Sequence, residues 1–104
     1  MADFITKDGR VITTYDVTYG RLDVGTGRIT IPVECEAISI KAGNGNGATA
    51  IYVGGANVDV NNGYELGAGD SVAIGFGLGG YYAADSIYLT ASAPDVEIFY
   101  IAYN

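Results

Sequence analysis

The chain has no histidine and no tryptophan, one cysteine, two prolines and only five basic residues. Each scarcity closes a class of function. Without histidine, Ser-His and Cys-His nucleophilic catalysis lack their base, and the common zinc ligand sets cannot be filled. Cys35 stands alone, so it forms no internal disulfide and reads as a small buried apolar residue rather than a reactive thiol. No Gly-Lys-Ser or Gly-Lys-Thr occurs, which removes the phosphate-cradling loop of nucleotidases. Apolar runs fall short of the roughly 18–20 residues that span a bilayer. The opening MADFITKDGR lacks the basic-then-apolar succession of a secretory signal, so cytoplasmic synthesis without processing is expected. The 16 glycines follow no Gly-X-Y period, which excludes collagen.

Basic residues are also unevenly placed. Lys7, Arg10, Arg21, Arg28 and Lys41 all lie in the first 41 residues, beside six of the 12 acidic groups. Residues 42–104 hold Asp59, Glu65, Asp70, Asp85, Asp95 and Glu97 with no basic partner, so the net charge of −7 divides into −1 and −6. An acidic body is repelled by phosphate backbones and anionic lipid, which argues against nucleic-acid or membrane partners.

What the chain does have is alternation. Its 104 residues are 49% hydrophobic, enough for one domain with a single small core. The stretch Ala48–Phe76 sets the pattern: Ile51 and Val53 alternate with Ala50 and Tyr52, and Val72, Ile74 and Phe76 with Ser71, Ala73 and Gly75. Other strands are expected at 28–33, 37–42, 86–92 and 96–103, with turns at the Gly-Asn-Gly-Asn-Gly run, Asn62-Gly63 and Ala93-Pro94-Asp95. Phe4–Lys7 and Arg10–Val17 read as a hairpin turned at Asp8-Gly9, and 18–27 as a long loop or an irregular strand. Residues 1–30 are an N-terminal hairpin or an attachment arm that holds a partner, and 31–104 the sandwich body. The sum is an all-β, antiparallel, jelly-roll-like sandwich of about 7–9 short strands.

Motif matches fail one by one. Gly75-x-Gly77-x-Gly79-Gly80 has no helix after it to receive a pyrophosphate. Asn57, Asp59 and Asn61 mimic a calcium loop, yet Asn62 stands where glycine is required and Ala68 where a bidentate glutamate belongs. Glu34 and Glu36 share a strand face without a cleft between them. No catalytic residue, cofactor or metal is therefore assigned, and no enzyme is expected. The last strand carries apolar residues on both faces, which makes Phe99, Ile101 and Tyr103 the candidate contact with another subunit. Arg10, Arg21 and Arg28 are the cationic candidates for the same role. Tyr81 and Tyr82, adjacent in a glycine-rich loop, are candidate stacking platforms for a glycan. The bare side of 71–76 suggests a neighbour lying flush against it.

From Ile31 to Ala102 the chain resembles small accessory virion proteins of tailed bacteriophages, such as capsid decoration and head-fibre proteins. The resembling elements are Ile31-Pro32, Cys35, the strand Ala37–Ala42, Ile51–Gly55, Asn62–Leu66, Gly69–Val72, Ser86–Tyr88 and the closing apolar strand. The resemblance implies a non-enzymatic β-sandwich that decorates or cements a capsid by contact with its major protein, on the virion surface. It also implies a homo-oligomer, often a trimer, made in the host cytoplasm. The alternative is a glycan- or receptor-binding module on a phage head or tail fibre.

Overall fold

The computed structural model describes residues 2–5, 11–14, 17–35, 37–75, 82–83 and 87–103. The chain is an all-β sandwich, with no α-helix among the described residues. In chain order the strands are β1 (Ala2–Ile5), β2 (Val11–Thr14), β3 (Val17–Val24), β4 (Ile29–Thr30), β5 (Glu34–Cys35) and β6 (Ala37–Ala42). They continue with β7 (Ile51–Gly54), β8 (Tyr64–Leu66), β9 (Ser71–Ile74), β10 (Tyr82–Ala83), β11 (Tyr88–Ala91) and β12 (Val96–Tyr103).

Two four-stranded antiparallel sheets face each other, ordered β3-β12-β6-β9 and β4-β11-β7-β8. Taken from the outside inward, β3 pairs β12, β4 pairs β11, β6 pairs β9 and β7 pairs β8. The body is thus one long antiparallel ribbon, rolled so that alternate pairs fall in opposite sheets. That nesting is the topology of an eight-stranded jelly roll. Of the first 30 residues, 2–5 and 11–14 pair only with each other, whereas β3 and β4 pair within the body. Body strands therefore begin at Val17 rather than Ile31. Ile5 lies opposite Val11, leaving the five residues 6–10 between the paired strands. That odd number does not fit the register a two-residue Asp8-Gly9 turn would set, and the turn itself lies outside the described residues.

Alternation places the core as expected. Ile38, Ile40, Ile51, Leu89 and Ile98 are fully buried, with Ile31, Leu66 and Val24 beside them. Burying each such side chain contributes about 1.5–3 kcal/mol. Cys35 lies in the same cluster. β9 is shorter than its apolar pattern, because Gly75 takes φ +91° and ends it after Ile74; Phe76 lies outside the described residues. Of the two readings of 18–27, the strand holds as far as Val24, with Gly20 an interior residue of β3. A Cβ there would meet the Tyr100 ring, at 2.9 Å from its hydroxyl, so the tyrosine fills the place of the missing side chain.

Side chains and turns cap the ladders where strands run out. β6 ends at Ala42, one residue before β12 needs its next partner. There the Glu97 carbonyl accepts from the Gly43 N–H and from Asn46 Nδ2, at 3.0 and 2.9 Å, and the Glu97 N–H donates to Asn46 Oδ1 at 3.0 Å. The buried carboxamide of Asn46 thereby stands in for a length of strand. Nearby, the turn at Gly67–Asp70 docks on the other side of β6, with Asp70 O accepting from the Ala42 N–H at 2.9 Å.

The outer face of the β4-β11-β7-β8 sheet is roofed by the loop 55–63. Val58 is buried, and a Cβ on Gly54 or Gly63 would strike its Cγ2 at 2.9 or 2.7 Å. Arg28 clamps this roof by donating from Nε to the Val58 carbonyl at 2.6 Å.

Two substitutions test these joints by urea titration. Asn46→Ala leaves the Glu97 N–H without its acceptor and is expected to lower the unfolding free energy by about 1–3 kcal/mol. Gly63→Ala places a methyl group 2.6 Å from Tyr52 Cβ and 3.2 Å from the Asp59 carbonyl. It is expected to destabilise by about 1–3 kcal/mol, because backbone on one side and packed side chains on the other leave no room to give.

Candidate functional site

Among the described residues, none forms such a roof over the opposite sheet. The outward residues of β3-β12-β6-β9 fall into rows set by the registers. Val17, Tyr103 and Ala37 form one row; Tyr19, Ile101, Ser39 and Ala73 form the next. Then come Arg21, Phe99, Lys41 and Ser71, and last Asp23 beside Glu97. Period-two alternation requires this, since Leu22, Val24, Ile40, Val72 and Ile98 of these strands turn inward to the core and their neighbours must face out.

The rows grade from apolar to charged. Tyr19 is 78% exposed, Val17 46% and Phe99 44%, while Ile101 and Tyr103 on the same face are half-buried. Ala37, Ser39 and Ala73 keep the floor between the large side chains shallow. At the charged end Arg21 pairs with Glu97 through Nε and with Asp23 Oδ1 at 2.8 Å. These two carboxylates raise the Arg21 pKa above its ordinary value. Two cations and two anions balance there, so the face is locally neutral although the chain carries −7.

The face includes Phe99, Ile101, Tyr103 and Arg21, all four of them singled out in the sequence. Arg28 is not brought to it: it lies at the start of β4 and binds the 55–63 roof. Arg10 and Tyr81 lie outside the described residues. Tyr82 sits in β10, opposite Cys35 of β5. Val17 and Tyr19 are the members that sequence reasoning missed. Their alternation was the available signal, obscured by the turn formers mixed through 18–27. Ser71 and Ala73 are exposed, and no described element lies flush against them.

Elsewhere the surface offers little chemistry. Among the described residues no three acidic or cysteine side chains gather as a metal would require. The Asn57–Asn62 segment spends its polar atoms on itself. Asp59 Oδ1 accepts from the Asn61 N–H, Asn62 Oδ1 accepts from the Asp59 N–H, and Asn62 Nδ2 donates to the Asn57 carbonyl. A groove of about 440 Å³ between 26–28, 58–60 and 90–92 is open and holds Arg28 and Asp59 as its charged groups. No helix among the described residues is long and apolar enough to cross a membrane.

Burial of Cys35 raises its thiol pKa above the ordinary 9.0. The folded chain holds that proton at a pH where the unfolded chain releases it, so this contribution is complete below pH 9.0 and is lost as pH rises through the folded value. Cys35→Ala is expected to flatten the alkaline fall in stability between pH 8 and 10.5, read by denaturant titration at about half-unit steps. A thiol reagent at about pH 8 is expected to label wild-type Cys35 only as fast as the chain opens.

No protein-family model matches the chain, and no curated protein or solved structure is significantly similar to it.

Proposed function

We propose that the chain is a non-enzymatic assembly protein that lays the outer face of its β3-β12-β6-β9 sheet against a larger protein. The observation that carries this reading is the contrast between the two outer faces. One is closed by the chain's own loop, with Val58 driven onto Gly54 and Gly63. The other presents Val17, Tyr19 and Phe99 to solvent on a floor of small residues. Apolar area left uncovered in a small domain marks a contact surface, with aromatic anchors at its centre and charges at its rim.

The resemblance to phage accessory proteins makes that larger protein the major capsid protein, and the role decoration or cementing of the capsid surface. The jelly-roll topology is common in viral coats, which supports the assignment by analogy of fold alone. Homo-oligomers, including trimers, fit the same reading, because a decoration site on a capsid recurs by symmetry.

Purified protein added in excess to expanded capsids is expected to raise the temperature at which they release their genome. Phe99→Asp, on the solvent side of β12, is expected to remove that protection while the free protein stays folded, its unfolding free energy lowered by no more than about 1–2 kcal/mol. Because the face is locally neutral, binding is expected to change little between low and high salt. Capsids equally heat-sensitive with and without saturating wild-type protein would contradict the proposal.

A further inference from the structure

The jelly roll has four sheet edges, and three of them are blunt. β4, β8 and β9 run for two, three and four residues. Short edges are the usual protection against unwanted strand pairing, along with proline, lysine and bulges. β3 has none of these. It runs for eight residues, holds no proline or lysine, and pairs β12 without a break in register from Val17 opposite Tyr103 to Val24 opposite Val96.

The direction of its hydrogen bonds can be read from β12. Glu97 turns its N–H and carbonyl toward Asn46 and Gly43, on the β6 side. In an antiparallel ladder the groups alternate in direction, so odd residues of β12 bond β6 and even ones bond β3. Their partners in β3 are Thr18, Gly20, Leu22 and Val24. The N–H and carbonyl groups of Val17, Tyr19, Arg21 and Asp23 therefore point off the free edge. No backbone group among the described residues meets them, and the β1–β2 hairpin pairs only with itself.

We propose that β3 is a pairing edge, completed by β3 of a second copy in antiparallel register about a two-fold axis at Gly20. Outward residues must oppose outward residues, which leaves few registers. Centring on Arg21 would set two guanidinium groups against each other. Centring on Leu22 would use only Arg21 and Asp23 of the four edge-facing residues. Centring on Gly20 uses all four: Val17 lies opposite Asp23 of the second copy, and Tyr19 opposite Arg21. Arg21 of each copy, its guanidinium held by its own Glu97 and Asp23, becomes the cross-strand neighbour of the exposed Tyr19 of the other, a pairing of cation and aromatic residue made twice. Glycine at the axis lets the two backbones approach where side chains would be closest. The pairing joins two sheets edge to edge and makes the two apolar outer faces one continuous surface. It uses the sheet edge and not its face, so failure of the pairing leaves the capsid-contact reading standing, and the reverse also holds.

Sedimentation of the full chain over rising concentration tests this directly. The mass is expected to rise from 10.8 kDa toward twice that value. Tyr19→Pro deletes one edge-facing N–H and leaves the ladder to β12 intact, so a folded variant that stays monomeric is expected. Thr18 and Leu22 of opposite copies face each other at a non-hydrogen-bonded pair, a spacing that a disulfide spans. Mixed Thr18→Cys and Leu22→Cys proteins are therefore expected to cross-link to each other, with neither cross-linking to itself. A wild-type chain that is monomeric at every concentration, a trimer, an undiminished dimer in Tyr19→Pro, or self-linking of Leu22→Cys would each overturn the proposal.

Discussion

The structure depends on one strand, β12, being held from both sides and apolar on both faces. Its eight residues are bonded along their length to β3 and, for six of them, to β6. One face, Val96, Ile98, Tyr100 and Ala102, completes the core between the sheets. A strand in the middle of a sandwich sheet needs only that one apolar face. The second, with Phe99, Ile101 and Tyr103, is more than the fold requires, and it leaves Phe99 exposed and Ile101 half-buried. The same chain closes the equivalent face of its other sheet with a nine-residue loop, 55–63, clamped by Arg28. That contrast is what the proposed contact surface rests on: a loop of the chain covers one outer face, and no described element covers the other.

Holding β12 centrally also requires its ladder to continue past the end of β6. Asn46 does this with a side chain, giving Glu97 a donor and an acceptor where no strand remains. The Gly67–Asp70 turn does the same for Ala42 on the far side. Such joints are local, but the pairs they protect are not. β3 and β12 are the first and last strands of the body in sequence yet pair with each other at the open end of the ribbon, so the ladder that defines the outer face joins residues as far apart as Val17 and Tyr103. Closing that loop late is a physical reason for jelly rolls to fold slowly.

Much of this was legible in the sequence, and the failures have particular causes. Period-two alternation identified β6, β7, β11 and β12 and their inward residues, because burial of one face fixes the pattern residue by residue. It also identified Phe99, Ile101 and Tyr103 as surplus apolar positions. β3 was obscured by Gly20, whose role depends on Tyr100, eighty residues away in the chain; no local pattern reveals a ring that stands in for a missing side chain. Arg28 looked like a free cation because its partner is a backbone carbonyl, which leaves no trace in sequence. The capping by Asn46 was hidden likewise inside a Gly-Asn-Gly-Asn-Gly run that reads only as a loop.

The central claim is that the uncovered face of the β12 sheet is the working surface. Oxidative footprinting of the protein free and bound to expanded capsids measures this side chain by side chain. The account predicts that Tyr19 and Phe99 lose most of their reactivity on binding, while Tyr64, exposed on the opposite sheet, keeps its own. Protection of Tyr64 with Tyr19 and Phe99 unchanged would contradict it.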